Sequence, residues 1–291
     1  MTWLVVAASG QLGKSVCEVL EERRIDFVRW NRENGSVSLE GFVSTYVGKI
    51  QPKVIINCAA WTDVDGAEAN ELGAKFVNAD AVGYLATAAK ACGAVFAHVS
   101  TDYVFSGVGT SPWIEDGIKQ PLSAYGRTKA QGEDLVAQIY PDRSYIFRTA
   151  WLYSAYGKNF ATTMVKLALK DEVQVSVVTD QIGQPTFARD LAFHIVDSIQ
   201  REIPFGIYHG TNSAQASWFE FAQEIFRLVG ADVARVKPVG SDAFPRPAKR
   251  PAYSVLGHDK WVGSGVDEMR SWKIALAEAM PVIVSAVKAG G

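Results

Sequence analysis

Cysteine is scarce in this 291-residue chain: only Cys17, Cys58 and Cys92 occur. An odd, widely spaced set gives no disulfide framework, and without Cys-x-x-Cys or Cys/His spacing it gives no zinc site. The expectation is three reduced, mostly buried thiols in a cytoplasmic protein. Histidine is also rare, with His98, His194, His209 and His258 at no metal-ligand spacing; His98 lies in an apolar run and reads as structural. Neither sign of charge is in excess. The 29 Lys and Arg against 31 Asp and Glu leave a net charge of −2, which gives no reason to expect nucleic acid or an anionic membrane as partner. No apolar run approaches the ~18 residues of a membrane span. The opening Met1-Thr2-Trp3-Leu4-Val5-Val6 is too short for a signal-peptide core and lacks a basic front.

What is present is an ordinary globular composition, 48% apolar and 21% charged, in a chain longer than one core usually holds. Apolar runs alternate with helical patterns, the signal for βαβ units and a parallel sheet. Strands are expected at Trp3–Ala7, Asp26–Trp30, Val54–Asn57, Ala94–Ser100 and Ser144–Arg148. Helices are expected at Gly13–Arg24, Gly41–Ile50 and Leu72–Cys92, with another opened by Pro121. After Trp151 the rhythm changes: helices at Asn159–Lys170, Ala188–Arg201 and Ser217–Val229, strands at Val173–Val178 and Gly206–His209, and a Pro-rich loop at Pro238–Tyr253. The expected fold is α/β, a Rossmann-type doubly wound parallel sheet with a smaller, discontinuous substrate-binding lobe. Residues 1–151 and about 187–211 would form the NAD(P)-binding part, and about 152–186 and 212–291 the lobe.

Two local patterns carry chemistry. The first strand runs into Ala7-Ala8-Ser9-Gly10-Gln11-Leu12-Gly13 and then a helix. Backbone N–H groups at a helix N-terminus make an anion site; Gly10 allows a pyrophosphate close to the backbone and Gly13 allows helix–strand packing. Ala7 stands where the first glycine of the usual fingerprint would be. The second strand ends in Trp30-Asn31-Arg32, so Asn31 and Arg32 face the adenosine ribose, and Arg32 favours the 2′-phosphate of NADPH over NADH. The second pattern is Tyr125-Gly126-Arg127-Thr128-Lys129. Positions i and i+4 share a helix face, so the Lys129 ammonium is expected to lower the Tyr125 phenol by roughly 2–3 units and make it a general acid.

Taken together these residues resemble the extended short-chain dehydrogenase/reductases. The resemblance sharpens at Asn57-Cys58-Ala59-Ala60-Trp61-Thr62-Asp63-Val64-Asp65-Gly66-Ala67-Glu68, Ser100-Thr101-Asp102-Tyr103-Val104-Phe105, Arg148-Thr149-Ala150-Trp151, Asp180–Thr186 and Phe244-Pro245-Arg246-Pro247, followed by Arg250-Pro251 and Tyr253-Ser254-Val255-Leu256. These are similar to the dTDP-4-dehydrorhamnose reductase family, in order from about residue 4 to residue 256. The resemblance implies that Thr101, Tyr125 and Lys129 are catalytic. It places Gly10, Gln11, Leu12, Gly13, Ala60, Trp61 and Thr62 against the cofactor, Ser38 and Leu39 beside its adenine, and the sugar against Thr101, Asp102 and Trp151. Ser38 departs from the family's usual acid.

The implied reaction is NADPH-dependent reduction of the C4 ketone of dTDP-4-dehydro-6-deoxy-L-mannose to dTDP-L-rhamnose. Other dTDP-4-keto-deoxysugars are the near alternative. A non-catalytic regulatory subunit, like that of methionine adenosyltransferase, is the remote one. A dehydratase would carry Thr-Asp-Glu where this chain has Thr101-Asp102-Tyr103. Some family members bind Mg²⁺, but no ligand set is evident here; Asp63, Asp65 and Glu68 read as a solvated turn. Arg246, Lys249 and Arg250 read equally as diphosphate contacts or as a solvated loop. A homodimer is left open.

Overall fold

Strand β1 (Trp3–Val6) is four apolar residues, all buried, as a parallel strand covered on both faces requires. The computed structural model describes residues 2–170 and 172–290. In chain order, β1 is followed by α1 (Gln11–Glu22), β2 (Phe27–Trp30), α2 (Glu40–Ile50), β3 (Val54–Asn57), α3 (Val64–Ala69), α4 (Glu71–Lys75), α5 (Ala81–Cys92), β4 (Val95–Thr101), α6 (Ala124–Ile139) and β5 (Ser144–Thr149). Then come β6 (Leu152–Tyr153), α7 (Phe160–Ala168), β7 (Val175–Val178), β8 (Ile182–Gly183), β9 (Thr186–Phe187), α8 (Ala188–Gln200), β10 (Gly206–His209), β11 (Ala216–Ser217), α9 (Trp218–Val229), β12 (Val236–Val239) and α10 (Trp272–Ala289).

Six strands form one sheet in the order β10-β5-β4-β3-β1-β2, every pair parallel. The order reverses between β1 and β3, and open α/β sheets bind ligands at the carboxyl ends of their strands at such a point. One core layer packs α1 and α8 residues, among them Val16, Leu20, Leu191 and Ile195, onto one face. The other packs Val43, Val47, Leu85 and Val136 onto the opposite face. A separate core gathers Tyr153, Phe221, Phe226, Trp272, Leu276 and Ile283 from the second half of the chain.

Four sequence expectations need revision. The expected helix Leu72–Cys92 is α4 and α5 joined by a π-helical turn over Phe76–Asp80; an extra residue per turn leaves the apolar pattern nearly unchanged. Pro121 does not open α6, whose N-cap is Ser123, with its side chain accepting from Gly126 N. Pro238 lies in β12, which pairs with β7 alone, and proline is tolerated on such edges. Helix α10 was not anticipated, because Pro281 interrupts its sequence. Ser217 and Glu220 form a capping box at the start of α9, and Gly93, with φ +68°, ends α5.

Candidate active site

Three loops leave the carboxyl edge of the sheet around the reversal point. The first follows β1. Ala7 adopts φ +56°, so the turn keeps the left-handed conformation that a glycine usually supplies. A Cβ on Gly13 would lie 2.1 Å from Ala7 O, so only glycine lets α1 pack this closely on the strand. Gly10 is the N-cap of α1 and supplies no side-chain bond, leaving the first-turn N–H groups open to an anion. The Asn31 side chain accepts from Ser9 N at 2.7 Å and so pins the end of β2 to this turn. Arg32 is exposed. Ser38 is half-buried, and Leu39 is exposed at the start of α2.

The second loop, Ala60-Trp61-Thr62 after β3, is held by a residue that the motifs did not mark. Asn78, fully buried in the π-helical turn, accepts from Trp61 N (2.8 Å) and donates to Trp61 O (3.2 Å) and to Thr128 Oγ1 (3.1 Å). Asp63, Asp65 and Glu68 are not a solvated turn. Asp63 caps α3. Glu68 accepts from Ala124 N at 2.7 Å. Asp65 binds Arg250 at 2.9 Å and Ala248 N at 3.2 Å, with Arg246 at 3.7 Å. Two of the three basic residues read as diphosphate contacts or solvated are therefore paired with an acid.

The third loop follows β4, where Thr101 lies in register with Thr149 of β5, two residues before Trp151. Thr101 Oγ1 donates to Asp102 Oδ1 at 2.9 Å and accepts from Tyr103 N at 3.2 Å. Helix α6 then brings Tyr125 edge-on to Tyr103, 5.5 Å between ring centroids. This approach needs Gly126, where a Cβ would stand 2.3 Å from Tyr103 O. The helix is tied to β5 by a buried ion pair. Arg148 Nε and Nη2 meet the Glu133 carboxylate at 2.9 and 2.8 Å, both side chains 1% exposed.

The electrostatics differ from the expectation in one respect. Burial pushes the Tyr125 phenol up to about 12, with the Thr101 side chain lowering it and the Asp102 charge adding to the rise. Lys129 is not among the groups that shift it. The ammonium, 1% exposed, donates to Val99 O at 2.6 Å and lies 3.2 Å from His98 Nε2. Burial brings Lys129 down to about 8, against opposing pulls from Glu133 and Cys58. His98 is itself buried, 3.1 Å from Asn57 Nδ2, and burial followed by Lys129 keeps it neutral. Trp151 adopts φ +46° and stacks on Trp218 at 3.6 Å, against Gly183, where any Cβ would touch the indole. It sits half-buried at the rim of the second core.

Among the described residues no three His, Cys, Asp or Glu side chains converge as a metal site, so no role is derived for Mg²⁺. The three cysteines are free. No helix among the described residues is long and apolar enough to cross a membrane.

A doubly wound parallel sheet with a glycine turn after its first strand, and with Thr101, Tyr125 and Lys129 on adjacent elements at its carboxyl edge, defines a Rossmann-type α/β protein. The chain belongs to the family described as RmlD substrate binding domain, whose model matches residues 1–284. It is 43% identical to a dTDP-4-dehydrorhamnose reductase of Streptomyces griseus over 97% of this chain and 93% of that one. It is 41% identical to a dTDP-4-keto-6-deoxy-D-glucose reductase of Streptomyces niveus, covering 97% of each. The crystal structure of a dTDP-4-dehydrorhamnose reductase from Bacillus anthracis in complex with NADP superposes with a TM-score of 0.92 at 36% identity, over 96% of this chain and 98% of that one.

Proposed function

We propose that the protein reduces the C4 ketone of dTDP-4-dehydro-6-deoxy-L-mannose to dTDP-L-rhamnose, with NADPH as hydride source. The observation that carries this reading is the near-full-length likeness to reductases of dTDP-4-keto sugars, joined to the placement of Thr101 and Tyr125 at one end of the sheet. The residues fit a dinucleotide. The uncapped start of α1 at Gly10, Gln11, Leu12 and Gly13 suits a pyrophosphate. Asn31 and the exposed Arg32 suit an adenosine ribose bearing a 2′-phosphate. Ser38 and Leu39 flank the adenine, and Ala60, Trp61 and Thr62 line the nicotinamide side. When bound, the dihydronicotinamide supplies hydride to the ketone carbon.

Each remaining task falls to a side chain of this chain. Thr101 orients the ketone oxygen. Tyr125 keeps its proton at neutral pH, because burial holds the phenol well above that range, and gives it up as charge develops on that oxygen. Lys129 holds the nicotinamide ribose. Asp102 and Trp151 face the sugar. Residues at about 152–186 and 212–291 supply the lobe that carries the nucleotide end, built on the core around Phe221 and Trp272, except that Trp261, Val266 and Met269 pack into the sheet's core with α1 and α8.

The Streptomyces niveus relative makes a second substrate, another dTDP-4-keto-deoxysugar, the alternative reading. A panel of such ketones with NADPH and NADH, and the stereochemistry of each product, tests the proposal. Fastest turnover of the L-lyxo ketone to the rhamnose product is expected. Preference for another ketone moves the protein to the alternative, and binding without turnover of any of them removes the enzymatic reading.

A further inference from the structure

We infer that Asp102 is a positioning residue that holds the proton the reduction consumes, relays it through Thr101 to Tyr125, and becomes protonated when the sugar binds. This rests on the roles proposed above for Thr101 and Tyr125. A threonine hydroxyl has one hydrogen, and here it is directed at Asp102 Oδ1, 2.9 Å away. Turning that hydrogen to a ketone strips the carboxylate of a donor it needs. Asp102 is 3% exposed, and its Oδ2 makes no hydrogen bond. The buried Ser254 hydroxyl beside the carboxylate makes none of good geometry either. A buried carboxylate left this poorly satisfied is costly. The neutral acid removes the conflict: its O–H donates to Thr101 Oγ1, and the Thr101 hydrogen is free for the ketone.

The charged and titratable groups around Asp102 are Tyr103 on the same turn, Tyr125 on α6, and Arg250 on the segment that carries Ser254. Arg250 gives Nη2 to Asp65 while its buried Nη1 has no partner, and Lys129 is engaged by Val99 O and His98, so among the described residues no cation is paired with the Asp102 carboxylate. In keeping with this, burial raises Asp102 to about 6, although the Ser254 and Thr101 hydroxyls and the Asp102 and Tyr103 backbone N–H groups pull it down. The transfer balances. The Tyr125 O–H breaks as the product O–H forms; the substrate oxygen, now carrying its own hydrogen, releases the Thr101 hydrogen, which passes to the phenolate, and Thr101 takes the Asp102 hydrogen. Asp102 ends as carboxylate, and the two electrons arrive with the hydride of the reductase reaction.

Calorimetric titration of the full chain in the presence of NADP⁺, which has no hydride to give, with the ketone dTDP-4-dehydro-6-deoxy-L-mannose, at neutral pH in buffers of different ionisation enthalpy, counts the protons. The wild type is expected to take up about one proton per ligand bound. Asp102→Asn, whose amide donates to Thr101 at every pH, should bind with uptake near zero and with pH-independent affinity. Binding by the wild type without proton uptake, or unchanged uptake in Asp102→Asn, overturns the inference. Absence of any binding heat in the wild type strikes the proposed function instead. Should Asp102→Asn fail to fold, the wild-type count decides: uptake should fade as pH falls into the range where free Asp102 is already protonated, and uptake that does not change with pH overturns the inference.

Discussion

Glu133→Gln tests how α6, the helix that carries Tyr125 and Lys129, is held on the sheet. The Arg148 guanidinium is 1% exposed, and its one carboxylate partner among the described residues is Glu133; the Glu115 carbonyl, at 2.8 Å, is its other strong acceptor. Removing the carboxylate leaves a buried cation without its counter-charge, which costs about 3–5 kcal/mol. At about 2.1 cal/mol/K per residue, the unfolding entropy of 291 residues is about 0.6 kcal/mol/K, so apparent Tm should fall by about 5–8 °C. The reverse substitution, Arg148→Met, should cost less, because Lys119 remains 3.5 Å from the Glu133 carboxylate. The double variant Glu133→Leu/Arg148→Met should recover most of the loss, since an apolar pair of similar volume replaces a buried ion pair at little cost. Calorimetric or fluorescence melting of the four proteins is the assay. A Glu133→Gln Tm within about 1 °C of wild type, or a double variant no better than Glu133→Gln, would refute the reasoning.

Three further outcomes follow from the geometry. Asn78→Ala leaves the Trp61 backbone and Thr128 without their partners and should cost about 1–3 kcal/mol, with weaker NADPH binding in a fluorescence titration; unchanged affinity would detach the π-helical turn from the cofactor loop. Arg32→Ala should lower the ratio of NADPH to NADH efficiency, and an unaltered ratio removes Arg32 from the 2′-phosphate. The pH dependence of stability carries two opposite contributions. Lys129 falls from 10.5 to about 8 on folding, so the unfolded chain binds more protons between those values and stability rises with pH across them. Asp102 rises from 3.8 to about 6, so the folded chain binds more protons there and stability falls as pH climbs through that window. Lys129→Met and Asp102→Asn should each flatten their own limb of a denaturation-versus-pH curve.

Much of the fold was legible because buried parallel strands such as Val54–Asn57 read as unbroken apolar runs and the intervening helices read as periodic ones. The π-helical turn at Phe76–Asp80 was not, because nothing in the local pattern marks one added residue, and with it Asn78 was missed. Asn57 and His98, polar residues inside apolar strands, were the available signal that something buried needed partners; they pair with each other, and His98 also meets Lys129. The Tyr125–Lys129 spacing correctly put both groups on one helix. It could not report that the ammonium spends its hydrogen bonds on Val99 O and His98, or that burial dominates the phenol. Those depend on which elements close over the helix. Asp65 was misread for the same reason, since its partner Arg250 is distant in sequence and arrives only with the chain's return over α3.

The most direct measurement is the fall of dihydronicotinamide absorbance when the protein meets NADPH and dTDP-4-dehydro-6-deoxy-L-mannose, run in parallel with Tyr125→Phe. The wild type should consume one NADPH per rhamnose product, and the variant should bind NADPH normally while losing at least about a hundredfold in kcat. Near-normal turnover by Tyr125→Phe, or none by the wild type, would contradict the account.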